Sequence, residues 1–289
     1  AFVVLIGTLW PLFSDLVFEK RVSVGAPYFN IAFTPFFVAI AMVLPVGAML
    51  SWKRAKLNQV VFSLWPALIL GVVLGAIVWS FQTGGRILGP VGVSLATWLI
   101  CGALTDIWAR ARGNTVTKRI RRLLRGHRSD FGKCVAHCGL GIIIFGISAI
   151  TAWETEDIRI VSPGEKFNLG QYEFQFLGVS QYRNQNFMTT QGEFRVDKGG
   201  KFIDSLLPEK RFYPVAGIWT TEAAIDQSLL RDLYLVLGEA QDDGKWTVRT
   251  YIKPFAIWIW LGALCMALGG ILSISDRRFR FSAGSKKVL

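Results

Sequence analysis

Histidine is nearly missing from this sequence: of 289 residues two are histidine, His127 and His137. Cysteine is scarce as well, at four positions, Cys101, Cys134, Cys138 and Cys265. From Glu154 to Lys253 neither residue type occurs. That absence excludes a disulfide framework and any Cys or His metal site within that segment. The order C-x-x-C-H, which holds a c-type haem covalently, is lacking too, because residues 134–138 read C-x-x-H-C. No internal repeat is found, although many membrane transporters are built from repeats. The opening run, 1–14, starts without methionine and has neither a basic n-region nor a cleavage site. It reads as a truncated helix rather than a signal peptide, and the chain as the C-terminal piece of something longer.

What is abundant is apolar sequence, at 52% of residues. Uncharged runs at 31–50, 60–81, 87–105, 134–153 and 254–275 each approach the roughly 20 residues a helix needs to cross about 30 Å of hydrocarbon. With 1–14 they give six expected spans. If these alternate, 51–59, 106–133 and 276–289 share one side and carry 17 basic residues against Asp106, Asp130 and Asp276. That side is cytoplasmic by the positive-inside rule. On the other side, Glu154 to Tyr251 carries 15 acidic and 11 basic residues. The chain's +12 is therefore a cytoplasmic-face excess and calls for no nucleic acid, even at the basic block 117–128 (TKRIRRLLRGHR).

Between Glu154 and Lys253 the pattern becomes one of short alternating runs, such as DIRIV, YEFQFLGV and LYLVLG, punctuated by SPGE, DKGGK and QDDGK. Alternation with such turns indicates strands and hairpins. Residues 221–232 are read as a short helix or an ordered loop, and Glu154, Glu156 and Asp157 as a solvated collar. The expected fold is a membrane α-helical protein with one β-rich extracytoplasmic domain before the last helix. Its parts are a helical bundle over 1–153, the β-rich domain over 154–253, a last span over 254–275 and a basic cytoplasmic tail over 276–289.

All four cysteines fall in the spans, where cysteine serves as a small apolar filler. Cys134 and Cys138 are four apart and face nearly the same way, which also suits a metal or redox pair. His137 differs in kind, since an imidazole within a span is costly and is by default a functional candidate. Lys133 anchors the helix end and sets His137 about 6 Å into the membrane by helical rise. Three roles stand open: a hydrogen bond to a neighbouring helix, a proton relay, or an axial bond to haem iron. A relay needs charged companions, and the uncharged runs contain no acidic or basic side chain besides His137. Gly139 and Gly141 remove side chains beside the ring, which suits close approach of a flat porphyrin or plain helix packing. His127, in the basic loop, reads as a solvated bystander. Asp106 is expected to pair with Arg110 one turn on.

The blocks GTLWPLFSD (7–15), AHCGLGIIIFGI (136–147), SPGEKFNLGQYEFQFLGV (162–179), PEKRFYPV (208–215), RDLYLVLGE (231–239) and KPFAIWIWLGALCMALGG (253–270), in this order, resemble the C-terminal half of the CcmF family of cytochrome c maturation proteins. The resemblance implies a membrane component of the cytochrome c haem lyase, which joins haem as substrate to the C-x-x-C-H motif of apocytochrome c. It implies a non-covalent haem b held in the membrane by two histidines, with His137 as one iron ligand and Gly141 beside it. The partners it implies are an N-terminal half or separate subunit, a haem chaperone, apocytochrome c, thiol-reducing maturation proteins and membrane lipid. The location it implies is the bacterial inner membrane with the β-domain in the periplasm, with the mitochondrial inner membrane as alternative.

The sequence also departs from that family. None of its 11 tryptophans lies in a W-G-x-x-W-x-W-D run, and the histidines for substrate haem and the second b-haem ligand have no counterpart. Those features would lie upstream of Ala1, so this chain alone is expected not to be a competent lyase. A haem or small-molecule transporter and a non-catalytic assembly scaffold remain as alternatives. Pro35, Pro45 and Pro66 suggest broken helices for the first, while haem content separates the second.

Overall fold

The computed structural model describes residues 2–19, 25–50, 56–111, 115–124 and 126–276. The helices, in order, are α1 (Phe2–Phe18), α2 (Ala26–Met49), α3 (Leu57–Phe81), α4 (Leu88–Arg110), α5 (Val116–Leu124), α6 (Arg128–Trp153) and α7 (Ile257–Ile274). Five of them, α2, α3, α4, α6 and α7, are long and apolar enough to cross a membrane, and α1 is a shorter apolar helix. Pro35 and Pro45 sit inside α2 and Pro66 inside α3 without ending either helix. Those prolines therefore mark no broken spans. Part of the basic block, expected as loop, forms α5. Lys53, Arg54, Arg112, Arg125 and the tail beyond Asp276 lie outside the described residues.

The chain divides into two compact units, which cut α3, α4, α6 and α7. The first comprises Ala1–Val73, Ser94–Gly141 and Cys265–Leu289. Its helices meet through small residues, as expected where lipid supplies no hydrophobic drive for association. At Gly102 of α4 an added Cβ would stand 2.6 Å from Pro45 Cβ of α2. Nearby, the Trp98 indole donates to the Met42 carbonyl at 3.0 Å.

The second unit comprises Leu74–Val93 and Ile142–Leu264. It contains ten strands: β1 (Thr155–Val161), β2 (Lys166–Leu169), β3 (Tyr172–Arg183), β4 (Met188–Lys198), β5 (Lys201–Leu206), β6 (Glu209–Tyr213), β7 (Ile218–Glu222), β8 (Ala224–Gln227), β9 (Arg231–Ala240) and β10 (Trp246–Pro254). They form a four-stranded sheet, β1-β10-β9-β8, and a second sheet, β2-β3-β4-β6-β7, with β5 on β4. Alternation explains the layering, because every second residue over 172–176 of β3, 192–196 of β4 and 233–237 of β9 is buried. Tyr172, Phe174, Phe176, Phe194, Val196, Leu233, Leu235 and Leu237 are all buried in the resulting core. Phe176 and Phe194 stack with centroids 4.7 Å apart. In the DKGGK turn Gly199 and Gly200 both take positive φ, at 57° and 76°. That is the pair of conformations a tight two-residue hairpin demands.

Two expectations need correction here. Residues 221–232 form neither helix nor loop throughout, since β7 ends at Glu222, β8 occupies Ala224–Gln227 and β9 begins at Arg231. Along β8 half-buried Ala224 and Asp226 alternate with exposed Ile225 and Gln227, but the sequence A-I-D-Q carries no polar–apolar alternation that would mark a strand. The acidic group at 154–157 is not simply solvated: Glu154 pairs with Lys253, Glu156 with Arg249 and Asp157 with Arg159. Registry brings the first two pairs together, because Thr155 stands opposite Ile252 and Glu156 opposite Tyr251, whereas Asp157 and Arg159 share one face of the same strand.

Candidate functional site

His137 lies on α6, whose start is fixed from outside the helix. The Asp276 carboxylate, just past the end of α7, accepts the Ser129 amide at 3.1 Å and so caps one of the helix's orphan donors. Asp130 in the first turn adds a negative charge where the helix dipole favours it. From there α6 packs on two neighbours within the first unit. A Cβ at Gly132 would fall 2.4 Å from the Gly269 carbonyl oxygen and 2.6 Å from the Ser273 amide of α7. A Cβ at Gly141 would fall 2.6 Å from Ile100 Cγ1 and 3.0 Å from the Ala96 carbonyl oxygen of α4. Between these contacts Cys134 donates its thiol to the Ala103 carbonyl at 3.5 Å.

His137 is thus carried by a segment pinned before and after it. The ring is partly buried. Among the described residues neither ring nitrogen has a hydrogen-bond partner. The open space expected beside Gly141 is filled by α4, so that glycine is explained by helix packing. His127 is exposed at the start of α6 and its carbonyl accepts the Asp130 amide at 3.1 Å.

One turn before His137 stands a charge cluster larger than the expected Asp106–Arg110 pair. Asp106, 5% exposed, takes Lys133 at 2.5 Å and Arg110 at 3.1 Å. Arg110 also reaches Asp130 at 3.2 Å, and Lys133 donates to the Ala48 carbonyl at 3.2 Å. The cluster joins α2, α4 and α6 at one level. Both cations of the cluster engage the Asp106 carboxylate. The sequence signal for it was there: Asp130 and Lys133 lie on the same face of α6 as His137.

The four cysteines are all free thiols. Among the described residues no group of three or more His, Cys, Asp or Glu is placed to hold a metal ion. The donor chemistry that remains is a single uncommitted imidazole on a helix closely packed against α4 and α7. It fits haem iron, which takes an axial bond from one imidazole nitrogen, and it supplies one such bond only.

Comparisons with known proteins bear on this geometry. A family model described as the CcmF C-terminal beta-sandwich matches residues 152–254. Over 99% of its length the chain is 46% identical to the cytochrome c-type biogenesis protein ccl1 of Rhodobacter capsulatus, covering 43% of it. It is 39% identical over 98% of its length to CycK of Rhizobium meliloti, covering 42% of that protein. To CcmF of Escherichia coli it is 35% identical over 99% of its length, covering 43%. The chain therefore spans less than half the length of these relatives. A solved structure, cytochrome c heme lyase CcmF, shares the fold with a TM-score of 0.68 at 20% identity, over 95% of this chain and 43% of that one.

Proposed function

Because the chain belongs to the CcmF family, as its C-terminal region, we propose that it is the part of a cytochrome c haem lyase that places one axial ligand, His137, on a membrane-embedded haem b. The observation that carries this reading is the uncommitted imidazole on a membrane helix whose position is fixed on both sides. When bound, the haem would supply one-electron transfer. The second ligand comes from outside this chain, since His127 lies in a basic loop and no third histidine exists.

The protein's own residues then have distinct tasks. His137 would hold the iron. Gly132 and Gly141 let α6 approach α7 and α4 closely enough to fix that residue's position. The Asp106–Lys133 pair fixes the preceding turn of α6. Orientation of this kind is what thioether formation asks of a protein, as the haem carries the reactivity. The strand-rich domain, 154–253, faces the periplasm of the bacterial inner membrane and 276–289 the cytoplasm. Haem as substrate, its chaperone, apocytochrome c and thiol-reducing maturation proteins meet the complete lyase there.

The test is a reduced-minus-oxidised absorption spectrum of the complete purified assembly, with His137 intact and with His137→Ala, at matched protein. The expected result is loss of the b-type signal in a variant that still inserts and folds. An unchanged b-type signal would return His137 to helix packing, and an assembly colourless in both forms would favour a scaffold.

A further inference from the structure

We propose that a recess in the β-domain binds the phosphate of an anionic phospholipid and so fastens the domain to the membrane surface. Two cations meet there, Lys198 at the end of β4 and Arg231 at the start of β9, with Ser228 and the backbone of Gly170 beside them. Strand pairing sets Lys198 directly opposite Tyr172, and its ammonium lies 5.3 Å from that ring's centroid. The Arg231 guanidinium is aimed by the Tyr172 hydroxyl at 2.8 Å and by the Asp226 carboxylate at 2.5 Å. Asp226 pairs with Arg231, and the buried Asp232 accepts the Ser228 amide at 3.4 Å, so two carboxylates stand against the two cations. Lys198, exposed and without a carboxylate partner among the described residues, is the cation left open to a phosphate.

Its position points to lipid rather than to a soluble anion. The turn between β8 and β9 is bonded to the start of the membrane helix α7. The Phe255 amide donates to the Leu230 carbonyl at 3.0 Å, and the Trp258 indole to the Leu229 carbonyl at 2.8 Å. This turn therefore sits at the level where α7 enters the bilayer, and Trp258 has the amphipathic ring that favours that level. On the same turn Leu229 and Leu230 are 64% and 67% exposed. Two adjacent leucines left in water beside a cationic recess are poorly explained in a soluble surface. At a bilayer the leucines enter the acyl boundary while Lys198 and Arg231 meet the phosphate, as basic groups near an anionic surface do.

The experiment uses the complete protein in nanodiscs containing a photoactivatable phosphatidylglycerol, with crosslinks mapped by mass spectrometry. The expected result is crosslinking within 228–231 that falls about tenfold in Lys198→Glu, while crosslinks to the basic stretch 117–128 stay constant. Arg231→Gln should give the same loss, and Lys198, being exposed, provides the variant that keeps the fold. Unchanged crosslinking in both variants would overturn the proposal. Equal crosslinking by a phosphatidylcholine analogue would overturn the charge recognition, and displacement by millimolar inorganic phosphate would show a free-phosphate site instead.

Discussion

Replacing Asp106 by alanine removes the one carboxylate shared by two cations in the α2–α4–α6 cluster. Breaking a fully buried ion pair by deleting one partner costs about 3–5 kcal/mol, and an exposed pair about 0–1. Asp106 itself is buried, its side chain 8% exposed, but its partners are less so: Lys133 is 28% exposed and Arg110 44%. Each also has somewhere else to go, Lys133 to the Ala48 carbonyl and Arg110 to Asp130. The cost of Asp106→Ala should therefore fall between the two regimes, at about 2 kcal/mol. That corresponds to about thirtyfold in the ratio of folded to unfolded protein. Arg110→Ala, which removes the exposed member and leaves Lys133 on Asp106, should cost about 0.5 kcal/mol. Unfolding in mixed detergent micelles, followed by loss of helix signal, ranks the variants. Equal destabilisation by the two, or a larger loss for Arg110→Ala, would show that the buried carboxylate is not the centre of the cluster.

Gly132→Ala and Gly269→Ala each place a methyl against backbone of the facing helix, at 2.4 and 2.5 Å, where no side-chain rotation relieves it. Each should destabilise by about 1–3 kcal/mol, whereas Gly270→Ala, with nothing within 4 Å, should be neutral in the same melt. Phe194→Ala removes a fully buried ring from the sandwich core and should cost about 3–5 kcal/mol, read as a lowered thermal midpoint of the β-domain signal. Glu209 is pushed up by burial, but hydrogen bonds from Tyr182, Arg211 and Gln191 outweigh this and hold its carboxyl below its ordinary 4.5. A depressed carboxyl stabilises the fold above its unfolded value and loses that contribution as pH falls through the folded one. Stability of the native protein should therefore drop more steeply below about pH 4.5 than that of Glu209→Gln; parallel pH profiles would refute the assignment.

The helices were legible because length and hydropathy alone decide whether a segment can span a bilayer, and 60–81 became Leu57–Phe81 with little change. The strand-rich domain was legible from period-two runs and glycine turns such as 198–201. Helix ends were not: α6 begins at Arg128, inside the basic stretch, because its cap comes from Asp276, far away in sequence. The same limit hid the site's surroundings. His137 stood out from rarity and position, but what faces it depends on which helices pack together, and sequence periodicity does not report that. Gly141 is the clearest case, since a glycine that admits a ligand and one that admits a neighbouring helix read alike until Ile100 is placed against it. The recess at Lys198 and Arg231 was invisible for the same reason, its residues coming from four strands, β3, β4, β9 and β10, and two turns.

The most direct test of His137 as an iron ligand is chemical rescue in the complete assembly carrying His137→Gly. The expected result is a lost b-type spectrum that returns when imidazole is added, because the small ring occupies the space the side chain has left and restores the missing axial bond. A spectrum that survives the substitution, or one that is lost and stays lost with imidazole in a protein that remains folded, would contradict the account.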